Sequence, residues 1–184
     1  MRISVAELPP AELEFGDPRR SYMDPRLGLT GAGPFSLRFG KAHKTQVRIG
    51  LVGPSALLSQ AADWYRRCDN EIDTGKPDSP MYVRFPGFER AFQSRLALQP
   101  AWTVTIDSDL EIALSGPDRF ERVLDVYSGA IARLARNHSL DVITCCLPHE
   151  ALTRCWSTSR KLSALERQQL QRAKRALQDQ LTFD

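Results

Sequence analysis

A β-branched and apolar run, Val47-Arg48-Ile49-Gly50-Leu51-Val52, stops at Gly53-Pro54-Ser55 and passes into Leu57, Leu58, Ala61, Trp64, Tyr65 and Cys68 at helical spacing. Pro54 suits a first helical turn, where its fixed φ fits and its missing N–H is not needed. A strand that feeds a helix through a glycine turn opens a βαβ unit, so a parallel partner strand is required further along the chain. Trp102-Thr103-Val104-Thr105-Ile106 alternates and is rich in β-formers, and Leu140 to Leu147 (LDVITCCL) is a continuous apolar run of the kind that forms a parallel strand buried on both faces. Between them Ser115 and Asp118 have capping-box spacing, with Ser115 as the expected N-cap. Phe120, Val123, Leu124, Tyr127, Ala130, Ile131 and Leu134 then mark a helix ending near Asn137. Asp107 to Leu114 is ambiguous between helix and strand. Strand, helix, strand, helix, strand, joined by segments too long for hairpins, predicts an α/β fold: a small parallel sheet with flanking helices and right-handed crossovers.

The remaining segments differ in character. Residues 1–46 carry Pro9, Pro10, Pro18, Pro25 and Pro34 with Gly16, Gly28, Gly31, Gly33 and Gly40, which forbid a long helix and predict an irregular N-terminal arm. Leu13, Phe15, Tyr22, Met23, Leu27, Leu29, Phe35, Leu37 and Phe39 make that arm too apolar for a solvated linker, so it is expected to wrap over a core or a partner. Residues 47–156 form the α/β core, interrupted by a loop from Asn70 to Pro80 and a Pro86-Gly87 turn. Residues 157–184 predict a basic amphipathic helix: Ser163 and Glu166 have capping-box spacing, and Leu170, Ala173, Leu177 and Leu181 lie on one stripe. From Arg154 to Arg175 the chain holds Arg154, Arg160, Lys161, Arg167, Arg172, Lys174 and Arg175 against the single acid Glu166.

With 184 residues, 42% of them hydrophobic and a net charge of +3, the chain is an ordinary globular one, neither disordered nor loaded with one sign of charge. It lacks the roughly 20 consecutive apolar residues of a bilayer span and shows no secretory leader, so a cytoplasmic location without membrane contact is expected. Cys68, Cys145, Cys146 and Cys155 include no C-x-x-C pair, which argues against a zinc site or a disulfide framework.

Few residues point to chemistry. Gly50 to Ser55 sits where α/β proteins bind phosphates, but its spacing fits neither G-x-G-x-x-G nor the P-loop, and no lysine follows the glycines. A plain strand-to-helix turn is the better reading. His43, His138 and His149 share no ligand spacing. His149-Glu150 with Cys145 or Cys146 would place a thiol inside an apolar strand with no cation to activate it. Asp107, Asp109 and Glu111 read as a solvated acidic turn. The basic C-terminal helix could follow a phosphate backbone by counterion release, or equally be a solvated face. No catalysis, metal or cofactor is expected.

Several fragments in order resemble the front half of a short prokaryotic Argonaute: Leu13-Glu14-Phe15-Gly16; Asp24-Pro25-Arg26-Leu27-Gly28-Leu29 followed by Gly33-Pro34; Arg48-Ile49-Gly50-Leu51-Val52-Gly53; and Phe85-Pro86-Gly87-Phe88. The apolar strand ending at Leu147-Pro148 and the charged helix after it continue the match. The resemblance implies a Rossmann-like MID domain, which in that family anchors the 5′ end of a guide strand. It implies further that the family's PIWI domain, inactive in short Argonautes, and its 5′-phosphate pocket lie beyond Asp184. Its partners would be the guide nucleic acid and a subunit carrying an APAZ region joined to a TIR, sirtuin-like or nuclease effector, in a prokaryotic defence system. On this reading the chain is non-catalytic. Arg160, Lys161, Arg167, Arg172, Lys174 and Arg175 are candidates for backbone contact with nucleic acid, and Phe15, Tyr22, Phe85 and Phe88 for partner contact. The alternative is a stand-alone scaffold that docks an effector without binding nucleic acid.

Overall fold

A computed structural model describes residues 10–73, 75, 82–116, 118–155, 168, 171 and 172. In chain order it contains β1 (Leu13–Glu14), β2 (Ser21–Tyr22), α1 (Pro25–Ala32), a 3-10 stretch (Phe35–Ala42), β3 (Gln46–Gly53), α2 (Ser55–Cys68), α3 (Phe88–Phe92), β4 (Arg95–Thr105), α4 (Asp107–Ser115), α5 (Arg119–Asn137), β5 (Val142–Cys145) and α6 (His149–Cys155). These fall into two units, Met1–Val47 with Tyr65–Leu96, and Arg48–Trp64 with Ala97–Asp184.

In the first unit the arm is more regular than its prolines and glycines predict. β1 and β2 form an antiparallel hairpin, Leu13 opposite Tyr22, closed by Asp17, whose carboxylate accepts from the Arg19 backbone N–H at 3.0 Å. The eight-residue α1 forms because Asp24 caps it, accepting from Arg26 N at 2.9 Å, and Pro25 supplies its first turn. Hydrogen bonds from Arg19 and Arg26 hold the Asp17 and Asp24 carboxyls down at about 2. The C-terminal carbonyls of α1, which no helical N–H can reach, are taken by the hairpin: Asp17 N donates to Ala32 O, and Gly16 N to Gly33 O just beyond, each at 3.0 Å. Phe15 lies over Gly28, where a Cβ would overlap its ring, and meets Tyr22 edge to face at 5.7 Å. Later in this unit Ile72 and Phe85 form a two-residue bridge, and Gly87, at φ 95°, turns the chain into α3.

The second unit holds a three-stranded sheet in the order β4-β3-β5. β3 and β5 are parallel, Ile49 opposite Val142 and Val52 opposite Cys145. β4 runs the same way, since Arg95 N donates to Thr45 O near one end and Ile106 N to Gly53 O near the other. This is a small Rossmann-like α/β fold. Its core gathers Val52, Val104, Ile106, Leu110, Ala113, Leu114, Val123, Tyr127, Ala130, Leu134 and Ala151. On α5 the buried positions Val123, Tyr127, Ala130 and Leu134 follow the expected helical stripe.

Four local expectations need correction. Ser115 does not cap α5; it ends α4 with its hydroxyl donating to Glu111 O at 2.8 Å, and Asp118, in the left-handed region at φ 56°, occupies the cap position. Asp107 to Ser115 is a helix, so Asp107, Asp109 and Glu111 lie on its first turns and not in a solvated turn, and Asp107 accepts from Ser55 N. β4 begins at Arg95, seven residues before the predicted start, because an edge strand tolerates Pro100 in its interior. Burial on both faces belongs to β3, where Ile49 through Gly53 are all buried, while β5 spans only Val142 to Cys145 and lies at the sheet edge with both its ends exposed.

Replacing Gly28 by Ala forces a methyl into the Phe15 ring and is expected to destabilise the fold by about 1–3 kcal/mol in urea unfolding. In a Phe15→Leu background the same substitution should cost less; an unchanged cost would show that the ring is not the obstacle.

Candidate functional site

The strand order determines where a ligand can approach. From β3 the chain crosses to β4 on one side, and from β4 it crosses back to β5 on the other. The carboxyl ends of β3 and β5 therefore lie beside each other where successive crossovers diverge, the position at which open α/β sheets bind ligands. Gly53-Pro54-Ser55 and the segment from Cys146 to His149 form this edge.

Each part is held by a specific contact. Cys146 N donates to Val52 O at 2.8 Å, extending the ladder one residue past β5. A Cβ on Gly53 would lie 2.7 Å from Cys146 Cβ and 2.8 Å from Cys146 O, so glycine is needed there for close approach of the two strands. Tyr127 reaches out of the core from α5 and donates its hydroxyl to Cys146 O at 2.7 Å. Burial, with the nearby Cys145 and Cys146 thiols adding to it, pushes the Tyr127 hydroxyl up to about 12.

The N-terminus of α2 is already satisfied. Asp107 accepts from Ser55 N at 3.1 and 3.2 Å through its two oxygens, and from Ser55 Oγ at 3.3 Å. A carboxylate thus sits where a phosphate would bind, and a second anion there would be repelled. Gly53 serves strand packing and Ser55 serves an internal cap, which removes the structural basis for a nucleotide at this turn. Burial pushes the Cys145 and Cys146 thiols up, so neither is a thiolate at neutral pH. Glu150 pairs with Arg154 at 2.9 Å on α6. The histidines are dispersed: His43 Nε2 donates to Gln93 O at 3.0 Å and its Nδ1 bonds Ser36 Oγ at 2.9 Å, His138 ends α5, and His149 starts α6. Among the described residues no group of three or more His, Cys, Asp or Glu is arranged to hold a metal ion, and no helix is long and apolar enough to cross a membrane.

Of the candidate backbone-contact residues, Arg172 is helical and exposed; Arg160, Lys161, Arg167, Lys174 and Arg175 lie outside the described residues, as does the Leu170 to Leu181 stripe. The four candidate partner contacts are all in the first unit. Phe15, 5% exposed, belongs to the interior of the arm. Tyr22 is half-buried against it, Phe85 is half-buried in the bridge to Ile72, and Phe88 is half-buried with its ring 4.6 Å from that of Phe92. Among the described residues, the exposed large apolar side chains of the arm are Leu13, Met23, Leu27, Phe35 and Phe39. Apolar content alone could not separate these two groups, because the separation depends on which ring meets Gly28.

No protein-family model matches the chain, and no curated protein matches it significantly.

Two measurements probe this edge. Asp107→Ala leaves the start of α2 uncapped and should lower stability by about 0.5–2 kcal/mol, with Asp107→Asn costing less because it keeps an acceptor. Tyr127→Phe should lower stability by about 0.5–1.5 kcal/mol at pH 7. Because the folded state raises the Tyr127 value from 10.0 to about 12, its contribution is intact below pH 10 and falls as pH rises from there through 12. Stability profiles of wild type and Tyr127→Phe that stay parallel across that window would contradict the assignment.

Proposed function

We propose that this chain is the arm and MID-type portion of a short-Argonaute-like protein, a non-catalytic component that binds a guide nucleic acid and works with an APAZ-type effector subunit. The observation that supports this reading is the β4-β3-β5 order, which sets the carboxyl ends of β3 and β5 side by side, the position at which open α/β sheets bind ligands. The interlocking of the fragments that carry the resemblance adds support: Phe15 packs on Gly28, Gly16 bonds Gly33, and Gly53 meets Cys146. Asp107 occupies the α2 terminus, so this reading puts no phosphate on the Gly53 turn; in sequence, the Arg154 to Arg175 segment is the densest set of basic residues.

Effector docking without nucleic acid is a second reading, favoured by the exposed Met23 and Leu27 of the arm. The two separate in a titration with labelled single strands bearing a 5′-phosphate or a 5′-hydroxyl, at low and moderate salt. Binding of both strands that falls steeply with salt is expected from the basic segment, and a preference for the 5′-phosphate would exclude a pure scaffold. Changing Arg160, Lys161, Arg167, Arg172, Lys174 and Arg175 to Gln should flatten the dependence of log K on log salt by about 0.7 for each phosphate that is no longer neutralised. Absence of binding to either strand at low salt would leave the scaffold reading in its place.

A further inference from the structure

Two large aromatic side chains stand in solvent on the 3-10 stretch: Phe39 is 61% exposed and Phe35 is 43% exposed. Their rings meet edge to face with centroids 5.7 Å apart, and the Arg38 guanidinium lies over the Phe35 ring at 4.7 Å. Neither ring is among the buried residues of the unit. The pair is nevertheless held in place. Arg38 donates to Phe15 O at 2.7 Å and to Glu14 at 2.8 Å, which fixes the cation against Phe35 from the side of the hairpin. His43, bonded to Ser36 Oγ and Gln93 O, secures the far end of the stretch beyond the kink at Gly40.

Along the sequence that carries the rings, from Pro25 to Val47, there is no Asp or Glu, whereas Lys41 and Lys44 fall within it. Arg38 is paired with Glu14, and Arg26, at the start of this stretch, with Asp24. Lys41 and Lys44 are exposed and follow Phe39 closely. Exposed aromatic faces beside cations on an acid-free segment have the two properties that bind unpaired nucleotides: a π-surface for any base and positive charge for the backbone. An acidic protein partner would use the cations without needing two rings in the open. Duplex nucleic acid would use the cations only, because its bases are already stacked.

We propose that Phe35 and Phe39, with Arg38 and Lys41, form a stacking platform for one or two bases of a single strand. It extends the nucleic-acid reading above and depends on it, while drawing on none of the basic C-terminal residues. The test uses the 184-residue chain and fluorescent 5′-phosphorylated single strands, with a duplex of the same sequence as control. Phe39→Ala should weaken single-strand binding roughly 5- to 150-fold, leave the salt slope unchanged and leave duplex binding within about twofold. Phe39→Trp should restore or tighten it. Lys41→Gln should instead reduce the slope of log K against log salt by about 0.7. The exposure of Phe39 makes the variants comparable in fold, and matching thermal unfolding of Phe39→Ala and wild type verifies this. If wild type binds the single strand and Phe39→Ala binds it equally well, the platform is wrong and the guide-binding reading stands, with the surface open to a protein partner. If wild type binds no single strand at low salt, both readings fail together.

Discussion

The parallel pairing of β3 with β5 is clamped at its start by Arg48 and Asp141. Asp141 N donates to Arg48 O at 2.9 Å, Arg48 N donates back to the Asp141 carboxylate at 2.8 Å, and the guanidinium closes on the same oxygen at 3.4 Å. Arg48 also reaches Ser139 Oγ at 3.1 Å. This two-way contact fixes register, and register decides everything above it, since a shift of one residue would send every side chain of β5 to the other face of the sheet. In the register that forms, Gly50 lies under Leu140, Leu134 and Ile143, Val52 is fully buried against the α5 side, and Gly53 arrives at Cys146 where only hydrogen fits. The edge formed by Gly53-Pro54-Ser55 and the segment from Cys146 to His149 exists because both strands end level with one another.

A comparable dependence runs through the arm. The last carbonyls of α1 need donors from outside the helix, and the β1–β2 hairpin supplies them through Gly16 and Asp17. The hairpin in turn needs Phe15 against Gly28 to have an interior at all. The segments around Phe15 and Gly28, apart in sequence, are thus one physical device. With Phe15 buried and Tyr22 half-buried against it, the large apolar side chains left exposed among the described residues of the arm are Leu13, Met23, Leu27, Phe35 and Phe39.

Charge placement constrains function in the same manner. A helix start beside a glycine turn attracts an anion, and in this chain the anion is internal, the carboxylate of Asp107. The fold retains the shape of an α/β ligand site while closing its most obvious phosphate position. The proposed nucleic-acid reading rests on two separate sets of cations, the basic Arg154 to Arg175 stretch of the sequence and Arg38 and Lys41 beside Phe35 and Phe39.

Short-range pattern alone determined β3, α2, α5 and the existence of a parallel partner at 140–147, because each depends on periodicity, turn residues and apolar runs that a single segment carries in itself. It misplaced the α5 cap, since a serine that could cap one helix can equally end the one before it, and the choice is made by the carbonyl of Glu111. It also assigned burial on both faces to the longer apolar run, although β3 takes the centre of the sheet and β5 an edge. Strand order, the Asp107 cap on Ser55, the Tyr127 bond to Cys146 and the division of the arm's aromatics into buried and exposed join residues far apart in the chain. Only the tertiary structure decided them, because a long-range contact depends on which surfaces packing has already occupied, and local sequence carries no record of that.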